Sequence, residues 1–346
     1  MKILFFRLGA IGDTLLTTPA VRKARELFPG AVIHYLAGEA AAEALKNNPY
    51  IDKIIPLKKT KTRLPRDFQA LAYASFVKRE LGGQSYDYFI DFESSPFSAV
   101  LSLLIRAKIK IGHIIRRKRK FLYNLLYNRR VDHKDGEFYV IHRHLALLKA
   151  IAPFENTDNS LVLKLTEEEF AAGRKFYTAA GLEAGKPVIM FSLSSTWKTK
   201  QWPDENWIKL GRIINERIPG AQILLLWAPG EAETVSRVAA GIGGVVVIPE
   251  TGLREMAAIM AQGDVLVAND GAARHVGVAL GLKTVGLFGP TTEKGWALED
   301  ERTALLRAPR NECEPCHRAE CRTGKYCMHK IGPESVYAAI AGLTEK

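Results

Sequence analysis

Two series of short apolar runs, each run followed by a helix-like stretch, constrain this chain more than any other feature. The first series is KILFF at 2–6, AVIHYL at 31–36, KIIPL at 53–57, YDYFID at 86–91 and KIKIG at 108–112. Helix-like stretches at 14–27, 39–46, 67–81 and 96–105 separate these runs, and a further one at 137–151 closes the series. The second series is PVIMFS at 187–192, QILLLW at 222–227, VVVI at 245–248, DVLVA at 264–268 and TVGLF at 284–288. Its intervening helices are expected over 204–217, 231–241, 253–261 and 272–280. Buried strands alternating with amphipathic helices mean parallel sheets covered on both faces, so the fold class is α/β with two doubly wound, Rossmann-like domains. A chain of 346 residues with 47% hydrophobic content can fill two such cores.

The segment APFENTDNSLVLKL at 152–165, rich in Pro, Asn and Asp, reads as the boundary region. The expected division is 1–158, then 159–332, with a last helix over 333–346 that packs back on the first domain. No run reaches the length of a spanning helix and no leader is evident at the start, so the expectation is a cytoplasmic protein. The net charge of +12 implies an anionic partner, whether nucleic acid, a membrane face or a phosphorylated substrate. The four cysteines fall between 313 and 327, unlike the dispersed framework of a disulfide-bonded secreted domain.

Open parallel sheets bind ligands at the carboxyl ends of their strands, so the strand-to-helix loops hold the candidate chemistry. The first, RLGAIGD at 7–13, has Gly9 and Gly12 for tight turns but fails the dinucleotide fingerprint, which disfavours a nicotinamide enzyme. Its Asp13 fits a helix cap or a catalytic base, and local pattern alone favours the cap. In the second half, SLSSTWKTKQWP at 192–203 offers the hydroxyls of Ser194, Ser195 and Thr196 and the charges of Lys198 and Lys200. That combination suits a diphosphate, although a polar loop with solvated lysines fits equally, and no Walker sequence is present. NDGAARHVGVALG at 269–281 places Asp270, Gly271 and Ala272 before a small-residue helix carrying His275, a plausible phosphate cradle. The plainer alternative is a capping Asp270 and an ordinary buried histidine. Thr291 and Thr292, after TVGLFGP, either touch a ligand or finish a turn.

In combination, GDTLLTTPAVRKARELFPGA, the KQWP loop, LLWAPGEAE, NDGAARHVGVALG and LFGPT follow the order and spacing of the bacterial ADP-heptose:lipopolysaccharide heptosyltransferases, glycosyltransferase family 9. The chain resembles that family along almost its whole length. The resemblance implies a GT-B fold, with an acceptor-binding first domain facing a sugar-nucleotide-binding second domain across a cleft. It implies inverting, metal-independent transfer of heptose from ADP-heptose to the lipopolysaccharide inner core, with no cofactor. By the same resemblance Asp13 is the general base, and Lys200, Ser195 and Thr196 hold the diphosphate beside the helix that follows Asp270. Glu231 would bind the nucleoside, Thr251 would lie on the adenine side, and His275 would lie beside the ligand. Gly271 and Ala272 depart from the family pattern of a hydroxyl residue and a glycine, which leaves the sugar nucleotide open. The alternatives are the same fold with another donor or acceptor, or a non-catalytic nucleotide- or nucleic-acid-binding protein; no RNP-like aromatic pattern supports nucleic acid as a partner.

From 106 to 130 the chain has ten Lys or Arg and no acidic residue, interleaved with apolar residues. A solvated basic helix, an RNA contact and a surface on anionic lipid all fit; the resemblance favours peripheral association with the inner face of the cytoplasmic membrane. Lys58, Lys59, Lys61, Arg63 and Arg66 fit a loop that clamps an acidic acceptor sugar, and a plain flexible basic loop fits them as well. The run CEPCHRAECRTGKYC supplies Cys313, Cys316, Cys321 and Cys327 as weak candidates for a structural zinc site, with reduced thiols or a local disulfide the preferred states.

Overall fold

The computed structural model describes residues 1–58, 66–116, 121–132, 139–155, 157–309, 316–324 and 326–345. The chain divides into two units, Met1–Lys164 and Leu165–Lys346, a boundary slightly later than the expected 158/159.

The first unit runs β1 (Lys2–Arg7), α1 (Ile11–Leu15), α2 (Thr18–Leu27), β2 (Val32–Gly38), α3 (Glu39–Leu45) and β3 (Lys53–Leu57). It continues through α4 (Ala74–Leu81), β4 (Tyr86–Asp91), α5 (Pro96–Leu103), β5 (Ala107–His113), β6 (Arg129–Val131) and α6 (Val140–Lys149). All its strands are parallel, in the order β3-β2-β1-β4-β5-β6. The run Ile3 to Phe6 is fully buried, since helices cover both faces of β1, and each such side chain contributes about 1.5–3 kcal/mol of transfer free energy.

The helix expected over 14–27 is two helices. Pro19 has no amide hydrogen to donate and its ring would strike the carbonyl of Leu15, so the chain breaks there. The hydroxyls of Thr17 and Thr18 bond the carbonyls of Thr14 and Leu15, each at 2.7 Å, and close the break. The stretch expected as a helix over 67–81 begins instead as a 3-10 turn, Arg66–Tyr73, before α4.

The second unit runs α7 (Glu167–Ala179), β7 (Val188–Ser192), α8 (Asp204–Arg217), β8 (Gln222–Leu226), α9 (Ala232–Ile242) and β9 (Val246–Val247). Then follow α10 (Leu253–Met260), β10 (Val265–Asn269), α11 (Ala272–Ala279), β11 (Lys283–Phe288), β12 (Thr303–Arg307) and α12 (Pro333–Thr344). This sheet is also parallel, ordered β12-β11-β10-β7-β8-β9. Helix α7 was not expected, because its sequence has no apolar stripe and only Gly173 is buried. A capping box between Thr166 and Glu169 fixes its start. Gly173 lets α7 lie directly on α10, since a Cβ there would sit 2.2 Å from the Ala258 carbonyl oxygen.

The C-terminal helix expected over 333–346 is α12. Val336, Ile340 and Leu343 of α12 belong to the second unit's own core, and α12 packs on α8, β11 and β12. Its buried face matches that sheet and helix, so the helix is an integral part of the unit that precedes it.

Candidate active site

In each sheet the chain reverses direction of growth once, between β1 and β4 in the first unit and between β7 and β10 in the second. At such a switch point the connections leave toward opposite faces and open a crevice at the carboxyl ends of the strands. Both crevices hold charged side chains.

In the first unit Arg7 ends β1, and its guanidinium reaches three groups. Nη2 lies 3.1 Å from Asp13 Oδ2, Nε lies 3.5 Å from Glu93 Oε2, and Nη1 donates to the Phe92 carbonyl at 2.9 Å. Burial acts to lower the pKa of Arg7, but Glu93 and then Asp13 outweigh it and hold the charge more firmly than in water. Asp13 lies within the first turn of α1, whose N-cap is Ala10, so the capping role suggested by local pattern does not hold. Among the described residues Asp13 Oδ1 has no hydrogen-bond partner, and the side chain is 27% exposed. Gly9 leaves room for this pair: a Cβ on it would lie 2.8 Å from Arg7 Nε and 2.9 Å from Asp13 Oδ2, so either side chain would have to shift.

The loop carrying Glu93 is fixed by buried Asp91. Its Oδ1 accepts from the amides of Glu93 and Ser94 at 2.8 and 2.9 Å, and its Oδ2 accepts from the Tyr127 hydroxyl. Ser94 sits in the left-handed region at φ 45°, held there by its hydroxyl, which donates to Asp91 O and accepts from the His113 amide. Burial pushes the Asp91 carboxyl up to about 6 despite the hydrogen bonds from Ser98, Tyr127 and Ser94, which favour its charged form.

In the second unit Lys200 Nζ lies 2.6 Å from Asp270 Oδ2, and Thr291 donates to the same oxygen at 2.8 Å. Lys200 also stands 4.7 Å from the centre of the Trp197 ring. Asn269 ties the two loops together, accepting from the Trp202 amide at 3.1 Å and donating to Leu193 O at 2.8 Å. Asp270 does not cap α11; that position belongs to Gly271, which has extended backbone. A Cβ on Gly271 would make only ordinary contact with Ser194 O at 3.5 Å, and Ala272 opens the helix behind it. Glu231 Oε2 accepts from the Ala228 amide at 3.0 Å and from the Ser194 hydroxyl, joining the loops after β8 and β7. The hydroxyl oxygens of Ser195 and Thr251 are buried without a hydrogen-bond partner among the described residues, while Thr196 is exposed. Such donors are costly to leave unmet, and a polar ligand would satisfy them. His275 is buried, and burial, with Arg274 and Lys200 adding to it, holds its pKa well below the usual histidine range. Its Nε2 lies 3.0 Å from Arg274 Nη2, which also donates to Trp296 O.

Lys200, Asp270, Thr291 and Asn269 therefore converge on the second crevice, and Glu231 with the unpartnered hydroxyls of Ser195 and Thr251 sits on the loops at the same edge of the sheet. Arg7 and Glu93 went unrecognised in the sequence; the available signal was a charged residue at each carboxyl end of two strands adjacent at the switch. Of the basic acceptor candidates, Lys58 is exposed and 3.3 Å from Glu39, and Arg66 is seen only as the backbone start of a 3-10 turn. Lys59, Lys61 and Arg63 lie outside the described residues, as does Cys313. Cys316 and Cys321 are half-buried, while Cys327 is packed in the core with Met328. Among the described residues no group of three or more His, Cys, Asp or Glu side chains could hold a metal ion.

The family described as glycosyltransferase family 9 (heptosyltransferase) matches residues 75–327, more than half of the chain. Lipopolysaccharide heptosyltransferase 1 of Escherichia coli O18:K1:H7 is 26% identical over 314 residues, covering 90% of this chain and 93% of that protein. Among solved structures, the glycosyl transferase family 9 protein of Veillonella parvula superposes with a TM-score of 0.85 at 21% identity, covering 100% of this chain and 97% of that one. The E. coli heptosyltransferase WaaC with ADP-2-deoxy-2-fluoro heptose superposes with a TM-score of 0.70 at 23% identity, covering 99% of each chain. The two doubly wound units are those of the GT-B architecture, and the chain belongs to glycosyltransferase family 9, the heptosyltransferases.

Proposed function

We propose that this heptosyltransferase moves heptose from ADP-heptose to the inner core of lipopolysaccharide by a single displacement with inversion, and that Asp13 is the general base. The observation that carries this reading is the pairing of Asp13: Oδ2 is held by Arg7 while Oδ1 has no partner among the described residues. A base must be oriented yet retain a lone pair for the proton it takes. The acceptor O–H proton passes to Asp13 Oδ1 as the acceptor oxygen bonds the anomeric carbon, and the bond from that carbon to the diphosphate breaks with ADP leaving. Lys200 and the start of α11 meet the charge that develops on the diphosphate, so no metal or acid is required for a leaving group of this kind. Ser195, Thr196 and Thr251 supply hydroxyls to the donor, Glu231 binds its nucleoside, and Asp270 sets the position of Lys200. An ADP-heptose donor is supported by the ligand of the WaaC structure. The replacement of a hydroxyl residue by Gly271 favours one second reading, a related sugar nucleotide on the same machinery.

The acceptor is a phosphorylated glycolipid, and the protein meets it at the cytoplasmic face of an anionic membrane. No helix among the described residues is long and apolar enough to cross one. The 3-10 turn Phe121–Leu126 instead exposes Leu122 at 58% and Leu125 at 72%. At three residues per turn they share one side, and the sequence flanks them with RRKRK at 116–120 and Arg129–Arg130. The basic residues after β3, from Lys58 to Arg66, complement the acceptor's acidic sugars.

Replacing Asp13 by Asn should lower transfer by roughly 10²–10⁴-fold, the usual contribution of a general base, with ADP affinity intact. Retained turnover would refute the assignment. A panel of ADP-, GDP- and UDP-sugars in thermal-shift assays checks the donor, and preference for a non-adenine nucleotide would reject it. Leu122→Glu/Leu125→Glu should release the protein from anionic vesicles in co-sedimentation; equal binding by the variant would reject the docking turn.

A further inference from the structure

We infer that Glu93 is a positioning residue that shares the charge of Arg7, so that Asp13 can take up a proton without stranding a buried guanidinium. The inference rests on Asp13 being the base. Arg7 has 14% of its side chain exposed, and two carboxylates approach it from different sides, Asp13 on Nη2 and Glu93 on Nε. Were Asp13 its sole partner, the two would form a neutral, partly buried pair. Proton uptake by Asp13 would then leave Arg7 charged and unmatched, an outcome that opposes the reaction. With Glu93 in place the three groups carry one net negative charge before proton transfer and none after it, so Arg7 is matched in both states.

The geometry is built to hold this arrangement. Gly9 leaves room for the contact between Arg7 and Asp13, where any larger residue would intrude on both. The Glu93 loop is locked by the hydrogen bonds that the amides of Glu93 and Ser94 donate to Asp91 and by the left-handed conformation of Ser94. The titratable groups that face Arg7 are Asp13 on α1, Glu93 after β4 and Tyr35 on β2. Tyr35 is buried and 2.7 Å from the Thr17 hydroxyl, and its own pKa is driven up by burial, so it stays neutral throughout. Asp91 on β4 has its oxygens engaged by the amides of Glu93 and Ser94 and by Tyr127, so Glu93 is the second carboxylate that acts on Arg7 beside Asp13.

The test uses the full-length protein with ADP-heptose and a lipid acceptor, comparing Glu93→Gln, Arg7→Gln/Glu93→Gln and Asp13→Asn. Glu93→Gln keeps the shape and removes the charge. It should lower kcat by about 10-fold or more, leave the KM for donor unchanged, and move the acid limb of the kcat–pH profile to lower pH by about one unit, the equivalent of that fold-change. The double variant also removes the unmatched cation, so its acid limb should return to the wild-type position or above. A purely structural Glu93 would lower the melting temperature without moving the acid limb, and that result overturns the inference. So does a double variant with a limb displaced as far as that of Glu93→Gln. Asp13→Asn separates the two levels: retained turnover there removes the base assignment itself, whereas an inactive Asp13→Asn beside an unmoved Glu93→Gln profile removes only the role of Glu93.

Discussion

Replacing Lys200 by Met separates a stabilising charge from a ligand-binding one. Lys200 and Asp270 are 17% and 7% exposed and 2.6 Å apart, so removal of the ammonium leaves a buried carboxylate without its counter-ion. Breaking such a pair destabilises by about 3–5 kcal/mol. Thr291 continues to donate to Asp270 Oδ2, which places the expected loss at the lower end, about 3 kcal/mol. Loss of the contact with the Trp197 ring adds no more than about 1 kcal/mol. For a unit of this size the combined loss of about 3–4 kcal/mol corresponds to a fall of roughly 6–16 °C in melting temperature. Lys200→Met/Asp270→Asn removes both charges and should recover most of that loss. ADP binding should behave differently. A charge-assisted bond to phosphate is worth about 1.5–3 kcal/mol, so calorimetry should show ADP affinity weakened by roughly 10- to 150-fold in Lys200→Met. The double variant should recover none of it. If ADP binds Lys200→Met as tightly as the wild type, or if affinity returns with stability in the double variant, Lys200 serves only to pair Asp270.

Three further outcomes follow from the same geometry. Gly9→Ala should reduce kcat by at least about 10-fold while changing stability less than a core substitution does, because its Cβ enters the Arg7–Asp13 contact; normal turnover would show that contact to be dispensable. His275 stays neutral when folded but is protonated below about pH 6.5 when unfolded, so its contribution to stability is full above that pH and is lost as pH falls, at no more than about 1.4 kcal/mol per pH unit. Denaturant melts from pH 7 to 5 should show this slope in the wild type and a flatter one in His275→Gln, and identical slopes would reject the account. Asp91 has the opposite sign: with its folded pKa raised to about 6, its contribution is full below the unfolded value of 3.8 and is lost as pH rises through about 6, amounting to ~3 kcal/mol. Asp91→Asn should abolish that loss, and the same pH dependence in the variant would contradict the assignment.

The sheets were legible in the sequence because KILFF and DVLVA have no polar side, and a run of that length with no polar side needs cover on both faces. Helix α7 and strands β6 and β12 were not, since GRKFYTA, RRV and TALLR carry too little apolar contrast for periodicity to find them. The capping box at Thr166 was the available signal for α7. In the second crevice, Glu231 was legible only through the family resemblance, whereas Lys200 and Asp270 could be picked out because each sits in a loop after a recognisable strand. Their pairing was hidden: the sequence offered Lys200 as a free cation, whereas it meets Asp270 across 70 residues of chain. Arg7 and Glu93 are 86 residues apart in sequence, and only the order of the strands places β1 beside β4 and brings the two side chains together.

The anomeric configuration of the product, read by NMR after transfer of heptose from ADP-heptose to a lipopolysaccharide inner-core acceptor, tests the central claim most directly. A single displacement with Asp13 as base predicts a configuration opposite to that of the donor, formed by the wild type and not by Asp13→Asn. Product with the donor's configuration would contradict that mechanism, as would product formed equally well by the variant.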